Sequence, residues 1–206
     1  LLVLAGTSCA QSWCPPGAEW ISYPPMGWPV EGYSRLYYAG DTLLGNLQGQ
    51  RLAEQHAEQS WGSSYVYQYH NPVAHITAVE DGVVLLWSTT LEAWDTLFWF
   101  GAVPGDHWQR PHVQFIEGGA ADRIEVLDTG LVLLEGVPLS TLDVQVICDV
   151  VPEFYTLTIT ERLGTGSVLH LPDGCAFDSF AWDLRCYSDN EIDVTYGSPC
   201  DVFLSI

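Results

Sequence analysis

The chain has 206 residues, 48% of them hydrophobic, which is enough to build one domain-sized core and too apolar for a disordered chain. Its 26 acidic residues face only 6 basic ones, all Arg, and the resulting net charge of −20 argues against nucleic acid and anionic membrane surfaces as partners. Without Lys there is no Schiff-base, P-loop or Ser-Lys chemistry, and no apolar run is long enough for a transmembrane helix.

The N-terminal stretch LLVLAGTSCA is typical of the end of a signal peptide. Small residues at Ser8 and Ala10 match the positions that signal peptidase reads, so we expect a signal-peptide remnant at 1–10 and a mature chain that begins near Gln11. A buried N-terminal strand and a lipoprotein site at Cys9 are the alternatives. We therefore expect a secreted or cell-surface protein whose residues 11–206 form a single domain.

Two segments share a spacing that predicts a repeated hairpin. DTLLGNLQGQRL starts at Asp41 and DTGLVLLEGVPL starts at Asp128, and each has a Gly eight positions after its Asp. We expect each segment to form a strand, a turn near Gly49 or Gly136, and a returning strand. The one helix-like stretch in the chain, RLAEQHAEQ at 51–59, is short.

The stretch WGSSYVYQYH carries the candidate ligand-binding residues. Counting by two places Trp61, Tyr65, Tyr67 and Tyr69 on one face of a strand, with His70 on the other face as a polar neighbour at its edge. The rings either pack in the core, which is the more common fate of aromatic residues at strand spacing, or face solvent as a stacking platform for sugars. We prefer the first interpretation, in which the rings pack in the core.

Short period-two runs dominate the rest of the chain and predict half-buried antiparallel strands. The clearest are RIEVL from Arg123, LDVQVI from Leu142, YTLTIT from Tyr155 and IDVTY from Ile192. VVLLW at 83–87 and LFWF at 97–100 are continuous apolar runs, which favour central strands buried on both faces; a turn at Pro104-Gly105 follows the second. The fold class is all-β: one antiparallel domain of hairpins, either a sandwich or a partly closed barrel.

An exported chain can form disulfides, and Cys186 and Cys200 flank a turn and a short strand that a bridge would close. Cys148 with Cys175 is a weaker pairing, and the partner of Cys14 is left open.

No metal site or cofactor is expected. His107 with His112 and His70 with His75 lack a third ligand and are read as loop residues. The carboxylates between Asp173 and Asp193 could hold calcium, but SDNE at 188–191 fits an ordinary hairpin turn.

Several segments, in this order, resemble a group of secreted Bacteroidetes proteins of unknown function. They are SWCPPGAEW, GYSRLYYAGDTLLGNLQGQRL, EDGVVLLW, DTLFWFGAVPGDHW, VLDTGLVLLEGVPL, ERLG and LRCYSDNE. The resemblance implies a secreted protein and a C-terminal type IX secretion sorting domain, which is not among these 206 residues. It implies no catalytic residue.

Two functions follow as expectations. The first is a non-enzymatic extracellular or cell-surface binding or structural module, with a glycan or another cell-surface component as its partner. The second is a carbohydrate-active hydrolase that uses paired carboxylates, with Glu153 and Glu161 as candidates.

Overall fold

The computed structural model describes residues 13–23, 30–60, 64–109, 123–147, 154–166, 169, 184–197 and 200. Within these residues the chain forms twelve β-strands and no helix. In chain order they are β1 (Glu19–Ser22), β2 (Val30–Leu44), β3 (Leu47–Ser60), β4 (Val66–Glu80), β5 (Val83–Ser88), β6 (Ala93–Trp99), β7 (His107–Gln109), β8 (Arg123–Leu134), β9 (Val137–Ile147), β10 (Phe154–Thr160), β11 (Leu184–Ser188) and β12 (Asp193–Thr195).

The strands form two antiparallel sheets. Eight strands follow the order β12-β11-β1-β2-β3-β4-β5-β6, and four follow the order β10-β9-β8-β7. Side chains from both sheets meet in one hydrophobic core, which includes Trp20, Leu52, Val84, Leu86, Phe98, Tyr187, Ile124, Val126, Leu142, Val144, Val146 and Ile159. The all-β prediction is confirmed, and of the two arrangements that the sequence left open the described strands form the sandwich-like one.

Alternation of apolar and polar residues explains the smaller sheet. On β9 the side chains of Val144 and Val146 are buried while Asp143 is exposed, and on β8 Ile124 and Val126 are buried. RIEVL, LDVQVI and YTLTIT thus lie where the sequence placed them, with their apolar faces toward the other sheet, whereas Tyr196 of IDVTY is exposed.

The LFWF segment is a core strand, but it is not central. Leu97 and Phe98 are buried, yet β6 is the outermost strand of the eight-stranded sheet, and β5 beside it alternates buried and half-buried residues. The indole of Trp13 packs against this strand, with its ring centroid 5.0 Å from that of Phe98. The expectation of a strand buried on both faces is therefore wrong for β5, and the expectation of a central strand is wrong for β6.

Both repeated segments are strand–turn–strand units, as predicted, but only one turn lies where the spacing placed it. Glu135-Gly136 forms the β8–β9 turn, whereas the β2–β3 turn is Gly45-Asn46 and Gly49 lies inside β3. The helix-like stretch 51–59 is also part of β3, because β2 and β4 pair with it on both sides.

A disulfide joins Cys186 and Cys200, with Cα atoms 5.8 Å apart, as predicted. Cys14 is a buried free thiol whose pKa is raised by its burial and by the nearby charge of Asp41. Residues 1–10, Cys148 and Cys175 lie outside the described residues. The described part of the chain holds no helix long and apolar enough to cross a membrane.

Candidate functional site

The tyrosine row of β4 is exposed. The exposed fractions of Tyr65, Tyr67 and Tyr69 are 72%, 46% and 42%. Tyr67 and Tyr69 share one face of β4 with their side chains about 7 Å apart along the strand, and Tyr65 lies one residue before the strand begins. The preferred prediction, that these rings pack in the core, is therefore wrong. Trp61 lies outside the described residues.

A buried polar pair adjoins this row. Tyr69 and Tyr67 stand opposite His56 and Glu58 on β3, so the four side chains share one face of the sheet. His56 Nε2 lies 3.0 Å from Glu58 Oε2, and the side chains are only 9% and 16% exposed. The Tyr67 ring covers the imidazole edge-on, with 6.2 Å between ring centroids. The face thus combines exposed rings with a fixed carboxylate–imidazole pair.

The tyrosines are exposed because the sheet face that carries them becomes polar along the strands. On this face Trp20 and Leu36 form one paired row and pack in the core. The next paired row contains polar groups, namely Ser22, Ser34, His56 and Tyr69. Polar groups cannot replace the apolar contacts of a core at low cost. The tyrosines therefore belong to a polar continuation of the core face.

His70 lies on the opposite face of β4, as alternation requires. There its Nε2 is 3.2 Å from the hydroxyl of Tyr37 on β2. Arg35, on the same face, places its guanidinium 4.7 Å from the centre of the Tyr37 ring and donates a 2.5 Å hydrogen bond to Glu19. That bond, more than the opposing burial, raises the pKa of Arg35.

The reverse-face cluster of Tyr37, His70, Arg35 and Glu19 was not found from the sequence. Its members come from β1, β2 and β4, and strand pairing alone brings them together. A local signal does exist, because Tyr33, Arg35 and Tyr37 alternate along β2 and so share a face. The structure thus divides the predicted ligand-binding set between two faces of one sheet.

The other candidate residues serve the framework. His70 and His75 lie in β4 and not in a loop; Pro72 sits between them, where the register shifts and the three β4 residues 72–74 stand against the single β3 residue Ala53. His107 is the exposed first residue of β7, so its assignment to a loop is wrong, and Asp106 accepts the backbone N–H of Val103 at 3.0 Å in the turn before it.

No group of three potential metal ligands occurs in the described ranges. His112 and the carboxylates from Asp173 to Asp183 lie outside these ranges.

The carboxylates of Glu161 and Asp189 hold turns. Glu161 is buried and accepts the backbone N–H of Ser140 at 3.0 Å, while Glu153 lies outside the described residues. Asp189 lies in the turn between β11 and β12, as the SDNE segment predicted, and pairs with the buried Arg162 at 2.9 Å. These contacts assign both carboxylates to the framework.

Comparison with known proteins gives no family: no protein-family model matches the chain, and no curated protein or solved structure matches it. The geometry of the β2–β4 surface is therefore the main guide to function.

Proposed function

We propose that this protein is an exported, non-enzymatic binding module that recognises a neutral glycan through the tyrosine row Tyr65, Tyr67 and Tyr69. The observation that carries the proposal is the exposure of three aromatic rings, spaced two residues apart along β4 and the residue before it, none of which belongs to the described hydrophobic core. Exposed aromatic groups of this kind mark binding surfaces more often than isolated apolar residues do.

The chemistry of the surface suits sugars. A tyrosine ring offers an apolar face for the C–H face of a sugar and a hydroxyl for its polar edge, and it loses little conformational entropy on binding. Beside the rings, the largely buried His56–Glu58 pair gives the row a polar border. A chain with a net charge of −20 repels polyanions, which favours a neutral glycan over an acidic one.

Export is the second part of the proposal. The disulfide between Cys186 and Cys200 suits an oxidising compartment. Trp13, which is buried in the core, follows the expected cleavage point before Gln11 by only two residues, so a mature chain that begins at Gln11 retains the whole described core. The resemblance to secreted Bacteroidetes proteins points to the same location.

The test is affinity electrophoresis against a panel of soluble polysaccharides: xyloglucan, glucomannan and laminarin as neutral members, and alginate as the polyanion. We expect at least one neutral polysaccharide to retard the protein. Tyr67→Ala and Tyr69→Ala should weaken that binding by roughly tenfold each, the loss of one stacking contact. Tyr196→Ala removes a similarly exposed ring at the end of β12, outside the row, and serves as the matched control.

Stability must be measured on the same variants. Because the Tyr67 ring is about half exposed, its removal should cost about 1–2 kcal/mol, less than the loss of a buried aromatic ring. Retardation by no neutral polysaccharide, or equal retardation of the wild type and both row variants, would overturn the glycan proposal.

A further inference from the structure

Among the described residues, no strand lies beside the outer edge of β8 along the part nearest its hairpin turn. β9 pairs with β8 from Arg123 to Leu134, but β7 covers only Arg123–Glu125 on the other side. Two backbone hydrogen bonds extend this cover by one residue, from Gly105 N to Val126 O and from Val126 N to Asp106 O. From Leu127 onward no described strand pairs with this edge. Its backbone N–H and C=O groups form a template for another strand.

The side chains along this open edge are apolar and exposed. Leu131 and Leu133 are 75% and 73% exposed, and Leu127 and Val132 are 44% and 39% exposed. The segment LDTGLVLL at 127–134 contains no Lys, Arg or Pro; the features that commonly protect a strand edge are confined to its start, where the register shifts at Leu127 and Asp128 carries a charge. An apolar open edge of this length favours strand addition.

The charges around the segment indicate what would pair with it. Asp128 and Glu135 are exposed acidic residues at its two ends, seven positions apart, and no charged residue lies between them. A second copy of this chain carries the same net charge of −20, so long-range repulsion opposes self-pairing. An extended segment with an apolar centre and a basic residue near each end complements both the edge and its acidic flanks.

We propose that the outer edge of β8, from Leu127 to Leu134, binds by strand addition an extended apolar segment of a partner protein that carries Lys or Arg at both ends. This site goes beyond the glycan surface, because it lies on the four-stranded sheet and uses backbone hydrogen bonds as well as side chains.

The probe is a fluorescein-labelled octapeptide, Lys-Thr-Val-Thr-Val-Thr-Val-Lys, whose two Lys are seven positions apart, titrated with the full chain in low salt and followed by anisotropy. We expect saturable binding that the double variant Leu131→Thr/Leu133→Thr weakens roughly tenfold or more. Both side chains are mostly exposed, so the variant should fold, and its melting temperature verifies this. Leu43→Thr, which changes a leucine 67% exposed near the β2–β3 turn, should leave binding unchanged.

Two further peptides separate the contribution of backbone hydrogen bonds from that of the charges at the peptide ends. An octapeptide with alternate N-methylated amides cannot pair with a strand edge, and one with Glu in place of both Lys meets the acidic flanks with like charge; both should lose binding. No saturable binding of the parent peptide would overturn the proposal, and so would equal binding of the N-methylated or the Glu peptide. A concentration-dependent dimer that the double variant abolishes would show that a second copy occupies the edge, which would also overturn it.

Discussion

At the scale of single residues, Asp189 shows how hydrogen bonds and an opposite charge stabilise a buried carboxylate. Its carboxylate accepts hydrogen bonds from the Tyr187 hydroxyl, from Arg162 Nη1 at 2.9 Å, and from the backbone N–H groups of Glu191 and Ile192 at 2.7 and 2.9 Å. Burial alone would raise the pKa of Asp189, but these hydrogen bonds and the Arg162 charge outweigh it and lower the pKa. The contacts join the β11–β12 turn to the turn that follows β10.

Asp189→Asn should therefore be strongly destabilising. An amide removes the charge that balances Arg162, whose side chain is only 6% exposed, and replaces one acceptor oxygen by a donor. We expect a loss of about 3 kcal/mol in the free energy of unfolding, measured by urea titration. Glu191→Gln is the matched control, because Glu191 contacts the same guanidinium at 2.8 Å but is 59% exposed; it should cost less than about 1 kcal/mol. Equal losses in the two variants would contradict this account.

His75 makes stability depend on pH. It stands opposite Leu52, which is fully buried, and burial lowers its pKa from 6.5 to about 4. The unfolded chain therefore takes up a proton near pH 6.5, while the folded chain does not until about pH 4. The contribution of His75 to the free energy of unfolding is therefore fully present above pH 6.5 and is lost as the pH falls toward 4.

Urea unfolding near pH 7 and near pH 5 measures this contribution. Between pH 7 and pH 5 the free energy of unfolding of the wild type should fall by about 2 kcal/mol more than that of His75→Gln, whose side chain at this position cannot be protonated. His107→Gln, at an exposed position on β7, is the control and should behave as the wild type does. The same pH dependence in the wild type and in His75→Gln would show that His75 is not the source.

At the scale of elements, the hairpins show where local sequence was sufficient and where it was not. The β8–β9 turn uses Glu135 and Gly136 with φ values of 53° and 87°, the conformation that two-residue hairpin turns favour. The β2–β3 turn begins with Gly45 at φ 64°. The matched Asp spacing misplaced this turn because the Leu-Leu pair before each turn lies three positions earlier, relative to the Asp, in the first segment than in the second.

Gly49 allows close packing between strands and does not form a turn. A Cβ built on Gly49 would lie 2.8 Å from the backbone oxygen of Thr77 on β4 and 3.4 Å from the Trp94 ring. Gly49→Ala should therefore destabilise the protein by about 1–3 kcal/mol in thermal or urea unfolding. Gly130→Ala is a suitable control, since its new methyl group would meet only the side-chain hydroxyl of Thr141. A Gly49→Ala variant as stable as the wild type would mean that β3 and β4 are further apart than described.

At the scale of the whole molecule, the fold class followed from period-two alternation, but the sheet order did not. The stretch 51–59 contains Ala, Glu, Gln and Arg, which favour helices, and only pairing with β2 and β4 makes it a strand. The bridge between Cys186 and Cys200 was predictable because a short turn and strand separate the two cysteines.

The candidate site was predictable only in part. Strand spacing placed Tyr67 and Tyr69 on one face, but both faces of this segment mix polar and apolar residues, so the sequence could not tell which one meets the core. The reverse-face cluster around Tyr37 and Arg35 depends on contacts between separate strands. Periodicity assigns residues to faces, whereas burial depends on what packs against each face.

Tyrosine nitration with peptide mass spectrometry, with and without the neutral polysaccharide that retards the protein, shows whether Tyr65, Tyr67 and Tyr69 form the glycan-binding surface. We expect Tyr65, Tyr67 and Tyr69 to be nitrated in the free protein and protected in the complex, while Tyr196, which is 44% exposed, should be nitrated equally in both. Equal nitration of the three row tyrosines with and without bound polysaccharide would show that the row does not bind the glycan.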